Sequence, residues 1–281
     1  MEAAPLGLVA GEGIFPLLVA RGARAVGRSV ACVGFTGNAW PQLAEEVDHF
    51  VWGSPSRPGS WFRFLHRHGC REAIMVGRVQ KAVLHHPLRL FSMLPDWLAI
   101  KLWWTIMRKD KGSQTILTMM ANLFASEEVP LIDSTNYCKE HLATAGVMTK
   151  RQPTARMWED IHFGWERCVA ISRLDIGQAI ALLNRDIIAV EASEGTNAMI
   201  DRAAALCRAG GWVCIKVSNT HQDMRLDVPT VGVTTIEKLH AGKAGCLVLE
   251  PGKTIMLEIE KVIELADRCG ICIVGYEPPA S

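Results

Sequence analysis

Four ionisable residues alternate with other residues in the segment HQDMRLDVPTVG, which runs from His221 to Gly232. His221, Asp223, Arg225 and Asp227 occupy every second position, so in an extended chain their side chains would share one face. Two carboxylates beside a guanidinium suit either a solvated surface edge or a site for a divalent cation and a phosphate. A helix would also place both aspartates on one side, so the spacing leaves the conformation open.

Asp227 and Asp223 are the first candidates for metal binding or for activating water. Mg²⁺ prefers oxygen ligands and usually takes one or two carboxylates together with substrate phosphate and water. Arg225 and Lys216, which lies just before the segment, could neutralise a diphosphate and stabilise the charge that grows on its oxygens. Carboxylates serve as bases or as metal ligands, so the sequence does not divide these roles between the two aspartates.

Gly11 and Gly13 follow the apolar run LGLVA, where a strand is predicted to give way to a helix. Without a Cβ atom, their backbone could approach a phosphate or a nucleotide, although an ordinary tight turn uses glycine in the same way. A dinucleotide fingerprint would need a third glycine where Pro16 stands, and an acidic residue where the second strand ends in GFT. The pattern therefore disfavours NAD binding and leaves nucleotide contact and a tight turn as alternatives.

The stretch AVEASEGTN has a similar arrangement, because Glu191 and Glu194 follow an apolar run and precede a predicted helix. Gly195 and Thr196 would open that helix, with Thr196 as its N-cap. A helix start with small residues could seat a phosphate, and it could equally be an ordinary capped terminus.

The region from His85 to Gly112 is rich in tryptophan and other apolar residues, and basic residues flank it. Such a composition suits a membrane interface or an acyl-chain pocket, and it also suits an ordinary core helix.

The composition limits the class of protein. Of 281 residues, 49% are hydrophobic, and 30 basic residues nearly balance 29 acidic ones to give a net charge of +1. Such a balance gives no bulk attraction to nucleic acid, so any anion would have to be bound by a local group of residues. The nine scattered cysteines, an odd number, indicate reduced buried thiols. We find no secretory signal and no apolar run of about 18 residues, and we expect a cytoplasmic protein.

The order of predicted elements indicates an α/β protein with two domains. Strands alternate with helices over residues 1–136, which predicts a Rossmann-like domain with a parallel sheet. Residues 137–156 are polar and lack a sustained period, so we interpret them as a linker. Residues 157–281 are predicted to form a mixed α+β catalytic domain, with hairpins at Asn184–Asp186 and at Glu250–Lys253.

Five motifs occur in one order along nearly the whole chain: GLVAGEGIFP, VGRV, LDIGQA, VEASEGTN and QDMRLDVPTVG. Together they resemble the UDP-2,3-diacylglucosamine pyrophosphatase family usually called LpxI. The resemblance implies Mg²⁺-dependent hydrolysis of the substrate's diphosphate, with water attacking the uridine-side phosphorus. The products would be UMP and 2,3-diacylglucosamine 1-phosphate (lipid X), in lipid A biosynthesis. It also implies that two domains hold the diacyl sugar in a chamber between them, with peripheral attraction to the inner membrane.

The resemblance adds substrate-binding candidates to the catalytic candidates Asp227, Asp223, Arg225 and Lys216, of which the two aspartates would bind the metal. The substrate-binding candidates are Gly11, Gly13, Arg78, Gln178, Glu191, Glu194, Gly195, Thr196 and Gln222.

Three positions depart from the usual pattern of the family. Arg78 stands where lysine is more common, Asn197 stands where an aspartate often follows EGT, and Thr220-His221 stands where proline is frequent. Arg78 keeps the charge with a different geometry, and Asn197 puts an acidic contribution at that position in doubt.

Two other functions fit parts of the sequence. One is a non-catalytic carrier of a nucleotide-linked lipid, and the other is a Rossmann-type oxidoreductase, which the incomplete glycine fingerprint argues against. The sequence leaves the oligomeric state, the acyl-chain length and the preferred divalent metal open.

Overall fold

The structure is a computed structural model of the 281-residue chain. It describes residues 3–79, 96–101, 113–218, 224–225 and 228–278.

The chain folds into two compact units. One comprises Met1–Cys138 together with Met224–Asp227, and the other comprises Lys139–Asp223 together with Val228–Ser281. The domain boundaries expected from the sequence, with a linker at 137–156, stay a prediction.

A four-stranded, all-parallel sheet forms the centre of the first unit, with strand order β3-β2-β1-β4. β1 and β2 are buried along their whole length, which is typical of parallel strands covered on both faces. This sheet confirms the predicted Rossmann-like architecture. Its elements are β1 (Leu6–Ala10), α1 (Phe15–Ala25), β2 (Val30–Phe35), β3 (His49–Gly53), α2 (Pro58–Arg67), β4 (Ala73–Val76) and α3 (Ser113–Ser126).

A six-stranded mixed sheet forms the centre of the second unit, with strand order β5-β12-β10-β8-β6-β7. β8, β10 and β12 are mutually parallel, whereas β6 runs antiparallel to β8 and β7, and β5 runs antiparallel to β12. β9 and β11 form a separate two-stranded parallel sheet. The strands are β5 (Gly146–Val147), β6 (Ala179–Leu183), β7 (Asp186–Val190), β8 (Val213–Lys216), β9 (Thr230–Val231), β10 (Cys246–Leu249), β11 (Ile255–Met256) and β12 (Cys272–Gly275).

Successive residues of these strands pack against different helices, as the pleat requires. On β8, Ile215 belongs to the core beneath α4, whereas Cys214 belongs to the core shared with α5, α6 and α7. α4 approaches closely, because a Cβ atom at its Gly164 would lie 2.7 Å from Ile215 Cδ1. The helices are α4 (Ala155–Arg173), α5 (Thr196–Leu206), α6 (Val233–Ala241) and α7 (Ile259–Cys269).

One of the two predicted hairpins is confirmed. Asn184 and Arg185 join β6 to β7 with φ of 56° and 60°, as a two-residue turn between antiparallel strands requires. Asp160, on α4, accepts hydrogen bonds from both turn N–H groups, at 3.1 Å and 2.5 Å. The hairpin predicted at Glu250–Lys253 is wrong, because β10 already pairs with β8 and β12 on its two sides and leaves no edge for a returning strand.

The cysteines, all of which lie in described ranges, form no disulfide bond, and seven of the nine are buried. Burial raises the pKa of Cys70 to about 11 and that of Cys214 to about 12, so both are neutral thiols at neutral pH. Over the described ranges, every helix is too short or too polar to cross a membrane.

Candidate functional site

Four strands of the second unit end at one edge of the six-stranded sheet. β8, β10 and β12 are parallel, and β7 shares their direction because β6 is antiparallel to both β7 and β8. We call the side where these four strands end the carboxyl edge. In open α/β sheets, ligands bind outside the carboxyl ends of the strands, so a site is expected at this edge.

Lys216, Ala179 and Glu191 form one row across three neighbouring strands at the carboxyl edge. Lys216 pairs with Ala179, and Ala179 O accepts a 2.8 Å hydrogen bond from the N–H of Glu191, the first residue after β7. Residues in one row point to the same face of a sheet, and adjacent strands lie about 4.8 Å apart. The small side chain of Ala179 therefore leaves room for the two longer side chains on either side of it.

Thr196, the first residue of α5, joins the ammonium of Lys216 to the carboxylate of Glu191. Its hydroxyl donates to Glu191 Oε1 at 2.9 Å, and Lys216 Nζ donates to Thr196 Oγ1 at 3.1 Å and to Thr230 O at 3.2 Å. Lys216 is only 8% exposed and Glu191 only 6%, so these hydrogen bonds are made away from bulk water. The site therefore holds a fixed cation and a fixed anion.

The prediction that Thr196 caps α5 is wrong. Gly195 is the N-cap, with φ of 83°, and the Thr196 hydroxyl is directed to Glu191 instead. Glycine adopts this left-handed conformation without strain, and a Cβ atom at Gly195 would meet no atom within 4 Å. The start of α5 is therefore sterically open beside Gly195.

Two buried oxygen atoms near the row have no hydrogen-bond partner among the described residues. They are Oε2 of Glu191 and the side-chain oxygen Oε1 of Gln178, the residue that precedes β6. Glu194 is satisfied within its own loop, because its carboxylate accepts from Ala192 N at 3.1 Å and from Arg202 Nη2 at 2.8 Å. Of the predicted substrate-binding residues here, Glu191 and Gln178 hold buried unused acceptors, and Glu194 braces the loop before α5.

Glu250, which the sequence reasoning missed, fixes the chain where it leaves β8. Its Oε2 accepts from Ser218 N at 2.9 Å and from Ser218 Oγ at 2.6 Å, and its Oε1 accepts from Lys253 Nζ at 2.6 Å. Burial raises the pKa of Glu250, but the hydrogen bonds from Lys253 and Ser218 outweigh it and hold this pKa below its usual value. The only signal in the sequence was its position directly after an apolar strand.

The motif that holds the predicted catalytic aspartates is described at Met224, Arg225 and residues 228–232. Met224 and Arg225 form a turn, and Arg225 is exposed, whereas Gln222, Asp223 and Asp227 lie outside the described residues.

Ser134 holds Met224 within the first unit and was also missed. Ser134 is buried, and its N–H and its hydroxyl both donate to Met224 O, at 3.2 Å and 2.8 Å. The chain directly after Asp223 is therefore held by two hydrogen bonds to one carbonyl.

The described part of the chain contains no cluster of side chains that could bind a metal ion. Over those residues, no group of three or more His, Cys, Asp or Glu side chains is placed to hold an ion.

Gly11, Gly13 and Arg78 lie together in the first unit, where the chain leaves β1 and β4. Glu12 N donates to Arg78 O at 2.7 Å, and Arg78 N donates to Glu12 O at 2.9 Å. A Cβ atom at Gly11 would lie 2.6 Å from Arg78 O and 2.7 Å from Gly77 C, so this close approach by itself requires glycine. Gly13 has φ of 111° and an open surrounding.

The tryptophan-rich region from His85 to Gly112 is described only at residues 96–101. Trp97 is 79% exposed and Ile100 is 44% exposed, whereas Leu98 packs against the core of the first unit. The remainder of the predicted acyl-chain pocket or membrane interface lies outside the described residues.

Comparison with known proteins identifies relatives of both units. A family model described as the LpxI N-terminal domain matches residues 5–141, and one described as the LpxI C-terminal domain matches residues 144–274. The chain is also similar to the UDP-2,3-diacylglucosamine pyrophosphatase LpxI of Caulobacter vibrioides (strain ATCC 19089 / CIP 103742 / CB 15). The two are 30% identical over 282 residues, which cover 97% of this chain and 98% of that protein.

The close approach of Gly11 to the backbone of Gly77 and Arg78 predicts that Gly11→Ala destabilises the first unit. The new methyl group would press on backbone atoms that cannot rotate away, and such overpacking costs about 1–3 kcal/mol. We expect a lower thermal unfolding midpoint by differential scanning calorimetry. Gly232→Ala is the matched control, because Gly232 also lies between a strand and a helix and its added Cβ would be 3.8 Å from the nearest atom. Equal midpoints for the two variants would contradict this account of Gly11.

The Thr196 hydroxyl joins Lys216 to Glu191, so we expect Thr196→Val to destabilise the second unit by about 1–3 kcal/mol. Both Lys216 and Glu191 would lose a buried hydrogen bond. Urea unfolding monitored by circular dichroism measures this loss. Thr196→Ser keeps the hydroxyl and should retain most of the stability. A Val variant as stable as the Ser variant would show that the two hydrogen bonds of the Thr196 hydroxyl contribute little to stability.

Proposed function

Because the chain belongs to the LpxI family, we propose that it hydrolyses the diphosphate of UDP-2,3-diacylglucosamine to UMP and lipid X, a step of lipid A biosynthesis. The relative from Caulobacter, which matches almost from end to end, carries this substrate in its name. The structural observation that supports the proposal most directly is the buried Lys216 at the carboxyl edge, where an anionic substrate would meet a fixed positive charge.

Lys216 would stabilise the diphosphate as negative charge grows on its oxygens. Its ammonium is held in place by Thr196 and Thr230 before any substrate arrives, so little reorganisation is needed at the moment of reaction. The first turn of α5 adds backbone N–H groups that have no acceptor within the helix. Gly195 leaves space beside them for a phosphate group. Arg225, which is exposed in its turn, would supply a second cation.

Asp223 and Asp227 would hold Mg²⁺, because carboxylate oxygens are the ligands this ion prefers. When bound, the ion would withdraw charge from the phosphate oxygens. Asp227 is our first candidate for orienting and deprotonating the attacking water, with Asp223 as its partner. Attack at the uridine-side phosphorus would release UMP and leave the other phosphate on the lipid.

A lipid substrate also supports a peripheral attraction of the protein to the inner face of the inner membrane. The exposed Trp97 and Ile100 of the first unit are side chains that favour a membrane interface. We propose no binding to nucleic acid, because the chain has a net charge of only +1.

The first test is hydrolysis of UDP-2,3-diacylglucosamine with Mg²⁺ in ¹⁸O-labelled water. We expect the label in UMP, loss of turnover on chelation with EDTA, and loss of turnover by at least about 100-fold in Asp227→Ala, since general base catalysis contributes roughly 10² to 10⁴ in rate. Asp186→Ala is the matched control, because Asp186 is an exposed aspartate in the β6–β7 hairpin.

Each other outcome would change a separate part of the proposal. Label in lipid X would keep the hydrolase and move the attack to the other phosphorus. Turnover that survives EDTA would remove the metal from the proposal. Binding of the substrate without turnover in the wild type would favour a carrier of nucleotide-linked lipid.

Ser134 provides a test of the segment that carries the aspartates. Ser134→Ala removes the 2.8 Å hydrogen bond from its hydroxyl to Met224 O and leaves the bond from its N–H. We expect a severalfold fall in kcat and a stability loss of about 1 kcal/mol. Ser134→Thr should restore kcat.

Ser60→Ala is the control for this effect, because it removes a 2.6 Å hydrogen bond from the Ser60 hydroxyl to Arg57 O in the same unit. If both Ala variants lose stability while both keep the wild-type kcat, then Ser134 has no part in positioning the motif.

A further inference from the structure

The Glu191 carboxylate has one oxygen that is unused within the described residues. Oε1 of this carboxylate accepts from the Thr196 hydroxyl at 2.9 Å, whereas Oε2 is buried and has no partner among the described residues. Nearly all buried polar atoms in native proteins are hydrogen bonded, and a charged acceptor is especially costly to bury alone. A partner that is not part of the described chain therefore belongs at Oε2.

Thr196 cannot be that partner. Its hydroxyl has one hydrogen, which it donates to Oε1, and its oxygen receives the ammonium of Lys216 at 3.1 Å. The orientation of this hydroxyl is thus fixed from both sides. The backbone N–H of Glu191 is also engaged, because it donates to Ala179 O at 2.8 Å.

Glu191 lies beside the proposed substrate site. It is the first residue after β7, at the carboxyl edge, and the loop that follows it ends at Gly195, where a Cβ atom would meet no atom within 4 Å. A group approaching the start of α5 would therefore pass close to this carboxylate. A buried acceptor beside an open glycine is an arrangement for receiving a ligand atom.

Two kinds of partner satisfy a carboxylate oxygen, a cation and a hydrogen-bond donor. The ammonium of Lys216 lies one hydroxyl group away from the carboxylate, so it already supplies positive charge to this row of side chains. A divalent cation at Oε2 would be repelled by that ammonium, whereas a neutral donor would not. The electrostatics therefore favour a neutral O–H or N–H group.

We infer that Glu191 Oε2 accepts one hydrogen bond from a neutral donor of the substrate, a hydroxyl or an amide N–H, at the carboxyl edge of the second unit. This inference rests on the proposed function and assigns to Glu191 a contact with the non-phosphate part of the substrate. The phosphates are left to Lys216 and to the start of α5. Both the nucleoside and the diacyl sugar carry such donors.

The test is equilibrium binding of the two products to the wild type and to Glu191→Gln, with Mg²⁺ present. In this variant the amide oxygen still accepts from Thr196, and the amide NH₂ replaces Oε2, so a donor on the ligand would face another donor. The nucleotide probes are UMP, 2′-deoxy-UMP and 3′-deoxy-UMP, measured by calorimetry. The lipid probe is 2,3-diacylglucosamine 1-phosphate in detergent micelles.

We expect Glu191→Gln to weaken one product by roughly 10- to 100-fold and to leave the other unchanged. If a ribose hydroxyl provides the donor, one deoxy-UMP will bind the wild type more weakly than UMP, and this difference will vanish in the variant. If the uracil N3–H provides it, the variant will weaken UMP and both deoxy-UMPs equally. If the diacyl sugar provides it, only the lipid probe will respond. Glu191→Asp, which keeps the charge and withdraws the carboxylate by one methylene group, tests the same contact should the Gln variant not fold.

Asp160→Asn is the control for a purely structural carboxylate, since both oxygens of Asp160 accept backbone N–H groups of the β6–β7 turn. It should lower stability and leave both products bound as in the wild type.

Three results would overturn the inference. Unchanged binding of both products to Glu191→Gln would show that Oε2 makes no contact with the substrate. Loss of Mn²⁺ affinity in the variant without nucleotide or lipid, measured by electron paramagnetic resonance, would assign the oxygen to a cation. A wild type that binds neither product would overturn the proposed function and this inference with it, whereas the first two results leave that function intact.

Discussion

The burial of the Lys216 ammonium is the constraint on which the candidate site depends. A charge removed from water is stable only with close hydrogen-bond partners, and this one reaches the Thr196 hydroxyl and Thr230 O. These partners lie at the start of α5 and in β9, so one side chain ties a helix and a small sheet to the end of β8. Ala179 makes the arrangement possible, because a larger residue between Lys216 and Glu191 would fill the space above the sheet.

This arrangement would let a chain with almost no net charge bind an anion. The overall charge of +1 gives no long-range attraction, so a diphosphate would be held by charges fixed at one edge of a sheet. Glu191 lowers the net positive charge of the site, which would weaken nonspecific attraction of other anions. It also holds the Thr196 hydroxyl in the orientation that receives the ammonium. The carboxylate would therefore contribute to selectivity through the same contacts that stabilise the fold.

Local patterns predicted the elements well and their pairing less well. The apolar run of β1 and the Asn184-Arg185 turn are encoded within a few residues, because strand burial and left-handed turn geometry depend on local sequence. The predicted hairpin after β10 failed because the neighbours of a strand are chosen over long sequence distances, here by β8 and β12. The capping role of Thr196 failed for a related reason, since its hydroxyl is engaged by Glu191 from the preceding strand end.

Glu191 and Glu250 show why position alone does not identify a functional side chain. Each is the first residue after a strand that ends at the carboxyl edge, and both are at least half-buried. Both oxygens of Glu250 are occupied, by Ser218 and Lys253, so this carboxylate is used up in holding the chain. Glu191 has only one oxygen occupied within the described residues. The sequence thus places acidic residues at the edge, and the hydrogen bonds they make decide which one retains an acceptor for a ligand.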